Sequence, residues 1–144
     1  MSVEPGIVHP ERFERPGRTA EEERNMRLAR EVMEAFSRTD FDFFYSKTIK
    51  NAEVLVVGLT DEKLGEHAKN PNLVPQTFNQ GMRFTVKCAI AEGNTCCIQW
   101  DDVAMATSGK QYENSGMSVF KFTEDGQIAS YVEYIDPDKF LEVI

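Results

Sequence analysis

Apolar residues recur at spacings of three and four from Met26 through Ala29 and Met33 to Phe36, with Leu28 and Val32 widening the stripe. That period predicts an amphipathic helix. Its start is marked by Thr19 and Glu22, which form a capping-box pair, and by Glu21 to Glu23, which complement the positive end of the helix dipole. It runs to about Ser37. Asp40 heads a second, short helix carrying Phe41, Phe43, Phe44 and Tyr45. Four aromatics so close together predict a plug at one end of the core. Glu53 to Val57 is β-branched and reads as a strand. Thr60 caps a further short helix reaching about Lys69. Asn70 to Gly81, with Pro71 and Pro75, reads as a loop with room for one helical turn.

Beyond Arg83 the period shortens to two. Arg83–Ala91, Thr95–Ala106, Gln111–Phe122 and Gln127–Ile135 read as strands. Their connections, Glu92-Gly93-Asn94, Thr107-Ser108-Gly109-Lys110 and Glu124-Asp125-Gly126, are turn sequences that make antiparallel hairpins. Asp136-Pro137 opens a last helix ending near Val143. Helices gathered at one end of an antiparallel meander predict an α+β fold. Long strands in a meander coil. The expected architecture is a cone-shaped barrel of curved antiparallel sheet, closed by the N-terminal helices around an apolar pocket. Met1–Arg18, with Pro5, Pro10 and Pro16, reads as an extended arm, and 19–144 as a single domain.

With 144 residues the chain has enough length to bury roughly two-thirds of its unfolded surface, without disulfide or metal staples. The net charge of −8 opposes binding to nucleic acid or an anionic membrane. Cys88, Cys96 and Cys97 are odd in number and lack metal-ligand spacing, so free thiols in a reducing compartment are expected. The first residues have no apolar signal segment, and a cytoplasmic protein is expected. No nucleotide- or metal-binding motif is readable, and no cofactor is expected. His9 falls in the arm and His67 on the short helix after Thr60. Neither completes a nucleophile–histidine–acid pattern.

The strand IQWDDVAMA, the turn TSGK and the run YENSGMSVFKFTEDGQIASYVEYIDPDKF carry a resemblance over Gln99 to Ile144. This segment resembles the nuclear transport factor 2-like superfamily, which includes ketosteroid isomerases, SnoaL-like polyketide cyclases and limonene-1,2-epoxide hydrolase. The likeness over the preceding residues is topological. The epoxide hydrolase pattern places an acidic residue eight positions before the glycine of the turn, at Asp101, and a second on the strand after EDGQI, at Glu133. In that family one protonated carboxyl donates to the epoxide oxygen, and one carboxylate takes a proton from the attacking water. The family's bridging arginine is replaced by Gln99. Its water-positioning tyrosine and asparagine have no counterpart in EVLVV. The isomerase base would fall among 53–58, where only Glu53 is acidic, and the isomerase oxyanion donor near Ser118. The resemblance also implies a homodimer.

Alternation along Thr95–Ala106 leaves two registers open. The register implied by the resemblance turns Cys97, Gln99, Asp101, Val103 and Met105 inward and leaves Trp100 outside as a dimer contact. The opposite register substitutes Asp102 for Asp101. On the next strands the inward sets are Asn114, Gly116, Ser118 and Phe120, then Tyr131, Glu133 and Ile135. Two carboxyls facing one apolar space separate in pKa, which provides an acid and a base. The candidate catalytic residues are Asp101, Glu133 and Gln99. The candidate substrate-binding residues are Tyr131, Asn114, Val103, Ile135, Phe36, Tyr45 and Phe140. The expected function is cofactor-independent acid–base chemistry on a terpenoid or polyketide, by epoxide hydrolysis or by isomerisation and cyclisation. The competing reading is a non-catalytic ligand-binding or dimerisation module on the same fold.

Overall fold

The computed structural model describes residues 3–8 and 15–144. His9 and most of the central part of the arm lie outside the described residues. Gly6–Val8 forms β1, followed by α1 (Ala20–Ser37), α2 (Phe41–Ser46) and β2 (Thr48–Val57). Then come α3 (Asp61–Leu64), a 3-10 turn (Gly65–Lys69) and α4 (Leu73–Thr77). The meander is β3 (Arg83–Glu92), β4 (Thr95–Met105), β5 (Gln111–Phe122) and β6 (Ile128–Ile135), and α5 (Pro137–Leu141) ends the chain.

The start of α1 follows the sequence signal. Thr19 Oγ1 accepts from the Glu22 amide at 3.1 Å, and Glu22 Oε1 accepts from the Thr19 amide at 2.8 Å. The other Glu22 oxygen accepts from the Gly93 amide at 2.7 Å, tying the helix to the β3–β4 turn. The buried face of α1 contains Met26, Ala29, Val32, Met33 and Phe36, the stripe expected from the period. Asp40 caps α2 through the Phe43 amide. Of the four α2 aromatics Phe44 is buried, Phe41 and Phe43 are half-buried, and Tyr45 is exposed. Phe44 and Phe41 each lie 5.3 Å from the Phe36 ring, so the plug forms against α1.

The six strands form one mixed sheet in the order β1-β3-β4-β5-β6-β2. The meander is antiparallel as expected, but β1 runs parallel to β3 and β2 parallel to β6. The α+β fold with a curved sheet and N-terminal helices is as expected, but the sheet is mixed, ends on two parallel edge strands and does not close into the cone-shaped antiparallel barrel read from the sequence. Register shifts between Val86 and Cys88, between Lys121 and Phe122, and between Thr48 and Glu53 mark bulges that add curvature.

The concave face is built from cross-strand rows. Val86, Trp100, Gly116 and Ile135 form one; Ala89, Ile98, Ser118, Glu133 and Val56 form the next. Ala91, Cys96, Phe120, Tyr131 and Val54 form the third. Trp100 is 1% exposed and packs edge-on against Phe84 at 5.0 Å. Its sequence-based placement on the outer face is thus overturned. The reason is local: across from it stands Gly116, whose missing side chain makes room for the indole.

A Cβ at position 116 would stand 2.5 Å from the Tyr134 carbonyl oxygen and 2.7 Å from Trp100 Cη2. Gly116→Ala is therefore expected to cost about 2 kcal/mol of stability through overpacking, read from the shift of a urea unfolding midpoint. A midpoint equal to wild type would show that the indole does not depend on this gap.

Candidate active site

Every second residue of β4 is buried: Cys96, Ile98, Trp100, Asp102 and Ala104. Asp102 therefore faces the interior, and the expectation that Asp101 does so is corrected. Asp101 sits on the outer face, where Ser115 Oγ donates to it at 2.8 Å and Lys87 Nζ stands 3.3 Å away. Those contacts, the serine hydrogen bond first, hold its carboxyl below the ordinary value. Gln99 and Val103 share that outer face, opposite Met117 and Glu113. Neither lines the interior. The signal that separates the two registers is hydrophobic content: the buried set includes the tryptophan and the isoleucine, while the other includes the glutamine.

The helices and the concave sheet enclose a cavity of about 470 Å³, a size suited to a small molecule. Glu133, Tyr131 and Ile135 of β6 line it, with Phe36, Tyr45 and Phe140 at its helical walls. Six of the ten residues singled out from the sequence therefore meet here. Trp100, Asp102 and Tyr112 line it as well, and His67 and Pro71 stand on the segment between β2 and β3 that flanks it. No lysine or arginine occurs among the described lining residues. Asn114 is buried just outside the lining set. Its amide nitrogen donates to the Tyr112 hydroxyl at 2.7 Å and to the Asp136 carbonyl at 3.0 Å, so it braces Tyr112 and the start of α5. Tyr112 was not legible as a site residue, because its strand alternates polar and apolar side chains without a motif.

Two carboxyls reach this space. Asp102 is 4% exposed, and its Oδ1 has no hydrogen-bond partner. Burial first, and then the negative charge of Glu133, push its carboxyl up to about 8. Glu133 is also raised by burial, with a hydrogen bond from Tyr131 working against the shift. Tyr131 Oη donates to Glu133 Oε1 at 2.5 Å. Tyr131 Oη also lies 2.9 Å from Ser118 Oγ, which accepts from Trp100 Nε1 at 3.0 Å. Glu133 is thus linked to a chain of hydroxyls and an indole, whereas Asp102 Oδ1 is unpartnered. At neutral pH the arrangement favours a protonated Asp102 facing a Glu133 whose ionised form has hydrogen-bond support.

Residues 72–131 match the sequence model of the SnoaL-like domain. No curated protein matches the chain in sequence. Among solved structures, an NTF2-like protein of unknown function from Burkholderia pseudomallei superposes with a TM-score of 0.68 at 16% identity, covering 84% of this chain and 97% of that one. A Jannaschia protein provisionally assigned as a SnoaL-like polyketide cyclase gives 0.65 at 13% identity, covering 90% and 97%. An epoxide hydrolase from M. tuberculosis resembling limonene epoxide hydrolase gives 0.59 at 15% identity, covering 83% and 87%. The chain therefore has the nuclear transport factor 2-like fold, and the likeness in fold covers most of its length.

Asp102 stays protonated in the folded chain up to about pH 8, while in the unfolded chain it ionises near its ordinary 3.8. Between those values the unfolded state has released a proton that the folded state still holds. Stability must then fall as pH rises, by up to about 1.4 kcal/mol per pH unit for this group. Glu133 is raised as well and contributes in the same direction. Thermal melts between pH 5 and pH 8 should show a falling midpoint, and Asp102→Asn should flatten that slope. A wild-type midpoint that rises across this range would contradict the assignment.

Proposed function

We propose that the protein is an acid–base enzyme acting on a small, apolar molecule of terpenoid or polyketide type, with Asp102 as the acid and Glu133 as the base. The observation that carries this reading is the buried, unpartnered Asp102 Oδ1 on the wall of an apolar cavity that also contains Glu133. An orphaned buried polar atom costs about 1–3 kcal/mol, and a ligand oxygen placed beside it would remove that cost. The Asp102 hydroxyl would donate to a carbonyl or epoxide oxygen as negative charge develops there. Glu133 would accept the proton, from carbon in an isomerisation or cyclisation and from water in a hydrolysis. In either case one proton leaves Asp102 and one arrives at Glu133. In an isomerisation or cyclisation the second step returns the Glu133 proton to carbon and the oxygen's proton to Asp102; after hydrolysis the proton held by Glu133 passes to Asp102 through solvent. Val54, Val56 and Ile135 beside Glu133, with the aromatic plug, would hold the apolar body of the substrate.

A homodimer belongs to the same reading. Ile90, Cys97, Val119, Val132 and Leu55 form a continuous row across five strands on the convex face. Met117, Tyr134 and Val57 extend the patch in the next row, and all three are exposed. A contiguous apolar surface of this kind favours contact with another copy. Sedimentation should show a dimer in the wild type, and Val119→Lys combined with Tyr134→Lys should give a monomer. A wild-type chain that sediments as a monomer at micromolar concentration would remove the dimer from this reading.

Turnover tests the catalytic assignment. With a terpenoid epoxide and a β,γ-unsaturated cyclic ketone as probes, Asp102→Asn should lower kcat/KM by at least about 100-fold wherever activity is found. Asp101→Asn, on the convex face, should leave it within about twofold. Equal loss in both variants would refute the assignment. Binding of the probes without turnover would favour the non-catalytic module.

A further inference from the structure

We infer that the indole N–H of Trp100 sets the direction of the hydrogen-bond chain running through Ser118 and Tyr131, and so directs a proton donor onto Glu133. Ser118, which is not among the lining residues, is then a positioning residue, and Trp100, itself on the cavity wall, acts on Glu133 through it. The functional meaning rests on reading Glu133 as the base; the direction of the chain does not.

The four groups are arranged by the strand register. Ser118 and Glu133 are cross-strand partners in one row. Trp100 stands one row away on β4, opposite Gly116, and Tyr131 one row away in the other sense on β6, opposite Phe120. The contacts therefore run diagonally, from Trp100 to Ser118 to Tyr131, and return to Glu133 two residues along β6.

An indole nitrogen only donates. At 3.0 Å it occupies one lone pair of Ser118 Oγ, and the serine proton must point elsewhere. Two acceptors are in reach: Tyr131 Oη at 2.9 Å and Met33 Sδ at 3.8 Å. A thioether is a weak acceptor, so the phenolic oxygen is preferred. Once Tyr131 accepts from Ser118, its own proton is directed to Glu133 Oε1, and the 2.5 Å separation is the length expected for a hydroxyl on a carboxylate. Each donor polarises the next in the same sense. The opposite direction would require Ser118 to accept from both Trp100 and Tyr131 and to spend its proton on the sulfur. Ser118, Trp100 and Tyr131 are all buried, so water does not compete for these positions.

The chain makes a prediction that needs no substrate. Removing the indole N–H frees a lone pair on Ser118, which can then accept from Tyr131 and withdraw the donor from Glu133. Carbon-13 labelling of glutamate side chains allows the Glu133 carboxyl to be titrated by NMR, assigned by its loss in Glu133→Gln. Trp100→Phe should raise its midpoint by about half a pH unit or more, whereas Ser118→Ala, which removes the polarising donor and the competing acceptor together, should raise it by less. The double variant should shift it no further than the larger single effect, because both act on one chain. Met33→Leu, which removes the competing acceptor at similar volume, should leave it unchanged or lower it. Packing loss alone would lower the melting temperature and, by admitting water beside Glu133, lower this midpoint rather than raise it. If Trp100→Phe does not fold, Ser118→Ala and Met33→Leu still decide. A Glu133 midpoint within about 0.2 units of wild type in folded Trp100→Phe, or one that does not rise in folded Ser118→Ala, would overturn the inference. Loss of the proposed enzyme reading would appear instead as absent turnover with these midpoint shifts intact.

Discussion

The indole of Trp100 lying over Gly116 is the contact on which the interior depends. One strand can present only alternate residues to one face, so seating Trp100 inside commits Ile98 and Asp102 to the same side. A slip of one residue would expose the indole and replace Asp102 by Asp101. The acidic pair in the cavity is thus a by-product of burying the largest side chain in the sequence. The same seating brings the indole nitrogen within reach of Ser118. Packing and polarity are set together by one glycine that leaves a gap.

The adjacent Asp101 and Asp102 show how far environment can divide identical groups. Asp101 faces outward, with a serine hydroxyl and a lysine close by. Asp102 faces inward, with an oxygen that nothing satisfies. Their carboxyls move in opposite directions from one starting value. Glu133 takes an intermediate position: it is raised by burial like Asp102, but it is held by a tyrosine. The two interior carboxyls are therefore unlike partners, and this inequality suits them to separate roles better than a symmetrical pair would.

Much of the fold was legible. The capping box at Thr19, the α1 stripe and the Asp40 cap are local signals, and each is realised. The meander was legible from its glycine-bearing turns. The parallel edges were not, because pairing of β1 with β3 and β2 with β6 joins residues distant in sequence and leaves no local trace. In the site, the faces of β5 and β6 were read correctly from alternation: Ser118, Tyr131 and Glu133 all point inward. On β4 hydrophobicity left the choice between the two faces open and the resemblance suggested Asp101; the structure turns Asp102 inward. A tryptophan and an isoleucine on one face outweigh a glutamine and a valine on the other. Tyr112 and the brace from Asn114 arise from side-chain packing at the mouth of α5 and had no sequence signal.

The absence of lysine and arginine from the described cavity lining has a consequence for what can enter. A metabolite bearing a carboxylate or phosphate would give up its hydration there and meet two carboxyl groups. No lysine or arginine among the described lining residues would repay that loss, and desolvating an unpaired charge is among the largest penalties a protein interior can impose. A pocket with this lining would sort ligands by charge before shape. Anionic compounds would be disfavoured there, and a neutral one would need a less exact fit. Selectivity of this sort would allow the apolar walls to vary without admitting charged competitors.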